Sequence, residues 1–372
     1  MKPAPRLAPA LAALVALLAL RCGGAPLSPP AAIGPARDAA PEAAEPAAER
    51  EASGPRRAPT RAEFAFAFDA GDEVGLVLAE DLEPFMLQGE PELVTALDAD
   101  PLLVRQVIAE RSLPDEVLAL RGQAVTLYDG ERRLCEGGVV GFAAVSRLHR
   151  PGISWAGEPQ GGSPGTRQEI ATEAWSMGFQ SLIALVRTPS RCAGATWGRL
   201  SALPPPRFAF SEPAGGVLGE RAVEAFRALP AYAEAQRSFD EEQANRRVNG
   251  LETEEGPWDG EGGAQVVQLP WSGRTLVWRT ARTGEICGFR ASLGATWEVR
   301  GGTGGPAGAS LGLLESGAEG LDLQLLLDAN GDGHLEGVFG DPDGDATQLV
   351  SWPDDDEKTL RTISLPSTGC PC

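Results

Sequence analysis

The sequence DANGDGHLEGVFGDPDGD, which runs from Asp328 to Asp345, has the residue types and spacing of a loop that binds a hard cation. Ca²⁺ takes about six to eight oxygen ligands, and a short loop can supply them when alternate residues carry carboxylates or amides. Gly333, at position 6 counted from Asp328, permits the sharp turn that such a loop needs. The ligands that this spacing predicts are the side chains of Asp328, Asn330, Asp332 and Glu336 and the backbone carbonyl of His334.

The residues that flank the loop predict strands. Leucine occupies every second position before the loop, at Leu321, Leu323, Leu325 and Leu327, which is mainly the period of a β-strand. Leu335, at position 8, is placed to anchor the loop to an apolar core. The pattern therefore predicts a strand–loop–strand unit.

The strand–loop–strand setting distinguishes this loop from an EF-hand. Position 12, where an EF-hand needs a bidentate glutamate, is Phe339. An acid at position 9, Glu336, followed by Gly340-Asp341, resembles instead the calcium loops of FG-GAP repeats, which lie in β-propeller blades and bind Ca²⁺. Only one good copy is present and a propeller needs several blades, so the resemblance implies Ca²⁺ as a cofactor but not the propeller fold.

Two alternatives remain open for this acidic stretch. Asn330-Gly331 is a strong turn dipeptide, so the segment could be an ordinary hairpin turn without an ion. A second set of alternate acids, Asp341, Asp343 and Asp345, lacks a glycine after its third acid. That set is either a second cation site or part of the first.

The N-terminus has the features of an export signal. Lys2 and Arg6 precede an apolar run over residues 7–20 that is short for a membrane span, and Cys22 follows it. A cysteine at this place resembles the lipobox of bacterial lipoproteins, where it is lipidated and becomes the first mature residue. Arg21 stands where a lipobox has a small residue, so ordinary cleavage after Ala25 is the alternative. The expected location is the bacterial cell envelope, either anchored in a membrane by lipid or secreted.

Composition divides the chain into four parts. Residues 1–22 form the signal, and residues 23–62, rich in Ala, Pro and Glu, form a disordered tether. Residues 63–248 are expected to form an α+β domain and residues 264–372 a β-rich domain. The expected fold class is α+β, predominantly antiparallel β with a few helices in the first half and a β-rich C-terminal part.

Several helices and strands are predicted from periodicity and capping. Residues 91–112 look mixed to helical, and Thr166 with Glu169 forms a capping box ahead of a helix. A second helical stretch begins near Gly219, and Pro230 must break, kink or restart it. Beyond residue 264 the pattern is a series of strands.

The cysteines fit an oxidising compartment. The chain has six, and without Cys22 five remain, which predicts two disulfides and one free thiol. Cys287 with Cys370 or Cys372 is the pair expected in the C-terminal part.

The net charge of −20 argues against binding of nucleic acid, whose phosphates need Lys and Arg. No nucleophile elbow or phosphate-binding loop is present, so no catalytic residue is predicted. The leading expectation is a non-catalytic, tethered protein with a Ca²⁺-stabilised β-rich part and no identified protein or glycan partner. The alternatives are an extracellular hydrolase with a structural calcium site and a carbohydrate-binding protein. The second would use exposed rings among the clustered tryptophans Trp258, Trp271, Trp278, Trp297 and Trp352.

Overall fold

Antiparallel strands in two sheets make up most of the computed structural model, and these sheets belong to one compact unit, Glu51–Cys372. Every pairing between described strands is antiparallel, which confirms the expectation of a predominantly antiparallel β protein. The structure describes residues 58–80, 82–83, 86–96, 99, 101–148, 166–189, 192–253, 256–260, 263–269, 271–284, 290–301, 310–317, 322–340, 346–352 and 358–364.

The first sheet closes on itself. Its strands are β1 (Ala65–Asp69), β2 (Val74–Ala79), β3 (Leu87–Leu93), β4 (Leu102–Ile108), β5 (Ala124–Asp129), β6 (Arg132–Leu148), β7 (Gln180–Arg187) and β8 (Trp197–Leu200). Strands follow the order β6-β5-β8-β1-β2-β7, and β7 pairs back with β6. Since β6 is 17 residues long, it pairs with β5 through its first part and with β4 through its last part.

The inside of this closed sheet is apolar and holds a disulfide. Leu76, Val125 and Ala184 are among its buried residues. Cys135 and Cys192 form a disulfide in the same cluster, with their Cα atoms 6.3 Å apart. One disulfide is therefore present in the described residues, whereas Cys22 and the predicted partners Cys287, Cys370 and Cys372 lie outside them.

The second sheet has nine strands and curls over its own core. It contains β9 (Arg207–Pro213), β10 (Ala264–Leu269), β11 (Arg274–Gly284), β12 (Arg290–Arg300), β13 (Ser310–Gly317), β14 (Asp322–Asp328), β15 (Leu335–Gly340), β16 (Ala346–Trp352) and β17 (Lys358–Ser364). The order is β13-β12-β11-β10-β9-β14-β15-β16-β17. Trp278 of β11 contacts Phe339 of β15 and Trp352 of β16, with ring centroids 5.7 and 6.3 Å apart, so the two halves of this sheet share one inner face.

Four α-helices lie outside the sheets in the part of the chain that the structure describes. They are α1 (Asp115–Leu118), α2 (Arg167–Met177), α3 (Gly216–Arg227) and α4 (Pro230–Val248), and a short 3₁₀ helix spans Glu110–Ser112. The Thr166–Glu169 capping box starts α2, and Pro230 takes the first turn of α4, as the sequence predicts. In the described part of the chain, no helix has the length and apolar content required to cross a membrane.

Aromatic residues on the outer face of the closed sheet pack against β14–β17. Trp197 stacks between Phe64 and Tyr128, with ring centroids 5.2 and 4.3 Å away. Leu327 and Val338 of the second sheet belong to the same buried cluster. We call this contact the intersheet core.

Three features depart from the sequence analysis. Residues 91–112, expected to be mixed to helical, contain the end of β3 and all of β4, because their apolar side chains are buried in pairing with β6. Strand β9 lies within residues 63–248, expected to form the first domain, but it pairs with β10 and β14 of the second sheet. Pro59 is buried and its carbonyl accepts a hydrogen bond from Arg361, although residues 23–62 were assigned to the tether.

Candidate metal centre

The predicted cation loop is the turn of the β14–β15 hairpin. Leu327 pairs with Glu336, so the first and last predicted ligands lie at the two strand ends. Gly331 and Gly333 have φ angles of 77° and 85°, a left-handed conformation that glycine adopts without strain. The hairpin therefore brings all five predicted ligand residues into one turn.

Polar side chains fix the shape of this turn. The carboxylate of Asp328 accepts hydrogen bonds from the amides of Gly331 and Gly333, at 2.6 and 3.1 Å. Further along, the amide of Asp332 donates to Asn330 Oδ1 at 3.1 Å, and the amide of His334 donates to Asp332 Oδ1 at 2.9 Å. These side-chain oxygens accept hydrogen bonds from backbone amides of the turn, in place of backbone carbonyl acceptors.

Two of the acidic residues predicted as ligands are buried. The exposed fraction is 0% for Asp328 and 2% for Glu336, and Glu336 Oε2 accepts a hydrogen bond from the Ala329 amide at 2.9 Å. Arg207 Nη1 lies 3.9 Å from Asp328 Oδ2, but the Arg207 side chain is 53% exposed. Burial raises the pKa of Asp328, and the hydrogen bonds from Gly333 and Gly331 and the charge of Arg207 offset this only in part.

The loop also contacts the closed sheet. Ala329 is buried in the intersheet core, and its carbonyl accepts a hydrogen bond from Arg199 Nη1 of β8 at 3.2 Å. Burial lowers the pKa of Arg199, and its side chain crosses from the first sheet to the second. Leu335 packs in the inner core of the second sheet, as its position in the loop predicts.

The chemistry of the donors fits a hard cation, whereas their present orientation does not yet form a coordination shell. Carboxylate, amide and carbonyl oxygens are the ligands that Ca²⁺ prefers. Within the described residues, however, no group of three or more His, Cys, Asp or Glu side chains is arranged to hold a metal ion. The second acidic set, Asp341, Asp343 and Asp345, lies outside the described residues.

Sequence reasoning missed the two arginines beside the loop. Asp328 pairs with Arg207 in the β14–β9 register, and Arg199 arrives from the other sheet. Both contacts join residues far apart in the chain, so no local spacing signals them.

A second buried charge cluster lies between the helices and β11. Asp259 is buried, and its carboxylate accepts hydrogen bonds from Arg279 at 2.8 Å, from Arg227 at 2.9 and 3.0 Å, and from the Tyr232 hydroxyl at 3.0 Å. Arg279 also lies over the Phe226 ring, 5.0 Å from its centroid. This cluster joins α3 and α4 to the second sheet, and the sequence analysis did not find it.

The tryptophans proposed to stack on sugars are packed inside the protein. The exposed fractions are 2% for Trp258, 7% for Trp278, 2% for Trp297 and 2% for Trp352. Trp271 is partly buried against the inner core of the second sheet. These rings offer no flat exposed row for a sugar in the part of the chain that the structure describes.

In the described part of the chain, two cavities between the sheets share Phe66 as a lining residue. The first has a volume of about 420 Å³, and Asp129 is the carboxylate among its described lining residues. The second has a volume of about 630 Å³ and is lined by Glu80 and Glu116, of which Glu116 is exposed. Among the described residues that line them, neither cavity therefore presents a pair of buried carboxylates of the kind that glycoside hydrolysis requires.

Comparison of the chain with protein-family models, with curated proteins and with solved structures returned no match in any of the three.

Proposed function

We propose that this chain is an exported, membrane-tethered, non-catalytic protein whose β14–β15 hairpin binds one Ca²⁺ ion as a structural element. The observation that carries the calcium part is the burial of Asp328 and Glu336 in a turn that also presents Asp332, Asn330 and a backbone carbonyl. Backbone amides bond to both carboxylates, and the cation beside Asp328, Arg207, is 53% exposed, so a bound metal would offset more of the cost of burying this charge. A divalent cation would balance the acidic charge collected in this turn.

A structural role follows from where the turn lies. Ala329 and Leu327 pack in the intersheet core, and Arg199 connects the turn to β8. An ion held by Asp328, Asp332 and Glu336 would fix both strand ends of the hairpin against the closed sheet. We therefore place the ion's role in stability, and we assign it no reaction.

The finer fold assignment is part of the same proposal. We assign the body to the α+β class, because α2 packs against β3, β4 and β6, while α3 and α4 cover the outer face of β10–β12. Export and tethering rest on the N-terminal sequence, that is, on the apolar run, Cys22 and the Ala- and Pro-rich segment after it. No specific contact favours the hydrolase or the carbohydrate-binding alternative.

Calcium binding is testable by equilibrium dialysis of the full-length chain against ⁴⁵Ca²⁺. We expect one ion per chain, with a dissociation constant of about 10⁻⁴–10⁻³ M, as in extracellular calcium modules. Asp332→Ala should weaken binding at least about tenfold, because it removes a central ligand. A tenfold change corresponds to about 1.4 kcal/mol of binding free energy. Asp322→Asn is the matched control, since Asp322 begins the same strand but lies outside the loop. Equal binding by both variants, or none by the wild type, would contradict the proposal.

Tethering is testable by metabolic labelling in a bacterial host with a fatty-acid analogue. The wild type should incorporate the label and Cys22→Ala should not, because the thiol of Cys22 is the proposed attachment site. The control is Cys372→Ala, which replaces a cysteine that is not part of the Cys135–Cys192 disulfide. It should leave labelling unchanged. Equal labelling of wild type and Cys22→Ala would rule out lipidation at this residue, without bearing on export.

A further inference from the structure

The first of the two intersheet cavities has the walls of a binding site for an apolar molecule. Its volume is about 420 Å³, within the range of about 300–1,000 Å³ that is usual for small-molecule sites. Phe64 and Trp197 line it from the closed sheet, and Leu325, Val338 and Ile363 line it from the second sheet. It is therefore a largely apolar space at the contact of two sheets.

One arginine lies in this apolar wall, at a position where the strand pattern expects an apolar residue. Ala143 and Val145 of β6 are 3% and 2% exposed, and both pack in the intersheet core. Arg147 is next on the same face of β6, because side chains two residues apart point the same way in a strand. Its side chain is partly buried and lines the cavity.

The partners of Arg147 in the described residues leave its charge without a facing carboxylate. Its guanidinium carbon lies 4.3 Å from the centroid of the Phe68 ring, and its buried Nε has no hydrogen-bond partner in the described part of the chain. Asp129, the carboxylate in the cavity lining, already pairs with Arg132 at 2.7 Å. Burial lowers the pKa of Arg147 to about 10, so the group still carries its charge at neutral pH.

We propose that this cavity binds an amphipathic carboxylate, such as a medium-chain fatty acid, with the carboxylate on Arg147 and the apolar chain between the sheets. A guanidinium binds a carboxylate through two parallel hydrogen bonds, which suits a single anionic head group. Phe64, Trp197 and Leu325 supply the apolar surface for the chain. This site uses none of the calcium-loop residues, so it stands independently of the calcium proposal.

Isothermal titration of the full-length chain with decanoate, kept below its micelle-forming concentration, tests the site directly. We expect saturable binding of one decanoate and at least about tenfold weaker binding of decanol, because a neutral alcohol forfeits the charge-assisted hydrogen bonds. This comparison uses the wild-type protein alone, so it does not depend on whether any variant folds.

Substitution of Arg147 identifies the residue that holds the head group. Arg147→Met keeps the length and apolar stem, and it should weaken decanoate binding by about ten- to a hundredfold while leaving decanol binding unchanged. Arg147→Lys keeps the charge but lacks the two parallel donors of a guanidinium. Its affinity for decanoate should therefore lie between those of the wild type and of Arg147→Met. Arg300→Gln is the control, because Arg300 is 64% exposed on β12 and does not line the cavity.

A cavity-filling variant tests the location. Val338→Phe adds a ring to the cavity wall and should abolish binding of both decanoate and decanol. The proposal would be overturned if the wild type bound no decanoate, if decanol bound as tightly as decanoate, or if Arg147→Met bound decanoate as tightly as the wild type.

Discussion

Replacement of Asp259 by alanine is expected to lower the free energy of unfolding by about 3–5 kcal/mol, the usual cost of removing one partner from a buried ion pair. Arg279, which is 3% exposed, would lose a carboxylate 2.8 Å from its guanidinium. Arg227 and Tyr232 would lose the same acceptor. Because these residues lie on β11, α3 and α4, the loss weakens the attachment of both helices to the second sheet.

Urea unfolding of wild type and variant measures this cost. Asp240→Ala is a suitable control, since Asp240 lies on the exposed side of α4 and accepts a hydrogen bond along the helix surface from Gln236, at 2.9 Å. The free energy of unfolding of this surface variant should stay within about 0.5 kcal/mol of the wild-type value. A cost below about 1 kcal/mol for Asp259→Ala would show that the cluster does not hold the helices in place.

The same cluster should make stability depend on acid pH. Burial alone raises the pKa of Asp259, but the hydrogen bonds from Arg227, Arg279 and Tyr232 outweigh it, so the pKa lies below its ordinary value. A carboxyl with a lowered pKa in the folded state stabilises the protein above the unfolded pKa, about 3.9, and this stabilisation is lost as pH falls through the folded pKa. Asp259→Ala should therefore lose less stability than the wild type over that acid range.

Features set by short-range sequence patterns were predictable. The Thr166–Glu169 capping box starts a helix as expected, because both hydrogen bonds form between residues three apart. Pro230 restarts the helix after α3, since proline fits the first turn of a helix but not its interior. Leu323, Leu325 and Leu327, at alternate positions before the predicted cation loop, lie in β14, and Asn330 and Gly331 lie in the turn of the β14–β15 hairpin.

Features that depend on distant pairing were not predictable. The apolar side chains of residues 102–108 fit both the helical and the strand period. Only their pairing with β6 makes this segment a strand. The closure of the first sheet depends on β7 returning to β6, and Asp259 meets Arg227 across 32 residues of chain. Arg147 has the polarity of a surface residue, and only the packing of the second sheet places it in a cavity wall.

The proposed calcium loop joins the two kinds of feature, because its predicted ligands are close in sequence but share one turn only when β14 and β15 pair. An ion bound only by the folded state should stabilise it by about 2.7 kcal/mol when free Ca²⁺ is one hundred times the dissociation constant. For an extracellular-type site this condition requires Ca²⁺ at roughly 10⁻² M or above. Without the ion, the like charges of Asp328, Asp332 and Glu336 within one turn oppose folding of the hairpin.

Asp332→Ala should remove most of this calcium-dependent stabilisation, and the melting temperature of each protein in calcium and in chelator measures it. Asp332 also accepts a hydrogen bond from the His334 amide, so the variant should melt lower even in chelator. The test is therefore the change in melting temperature that calcium causes within each protein. This change should be large for the wild type and small for Asp332→Ala. His334→Ala should keep the wild-type shift, because only the backbone carbonyl of that residue is proposed to bind the ion. If calcium shifts the melting temperature of neither the wild type nor the His334 variant, the loop is a hairpin turn without an ion.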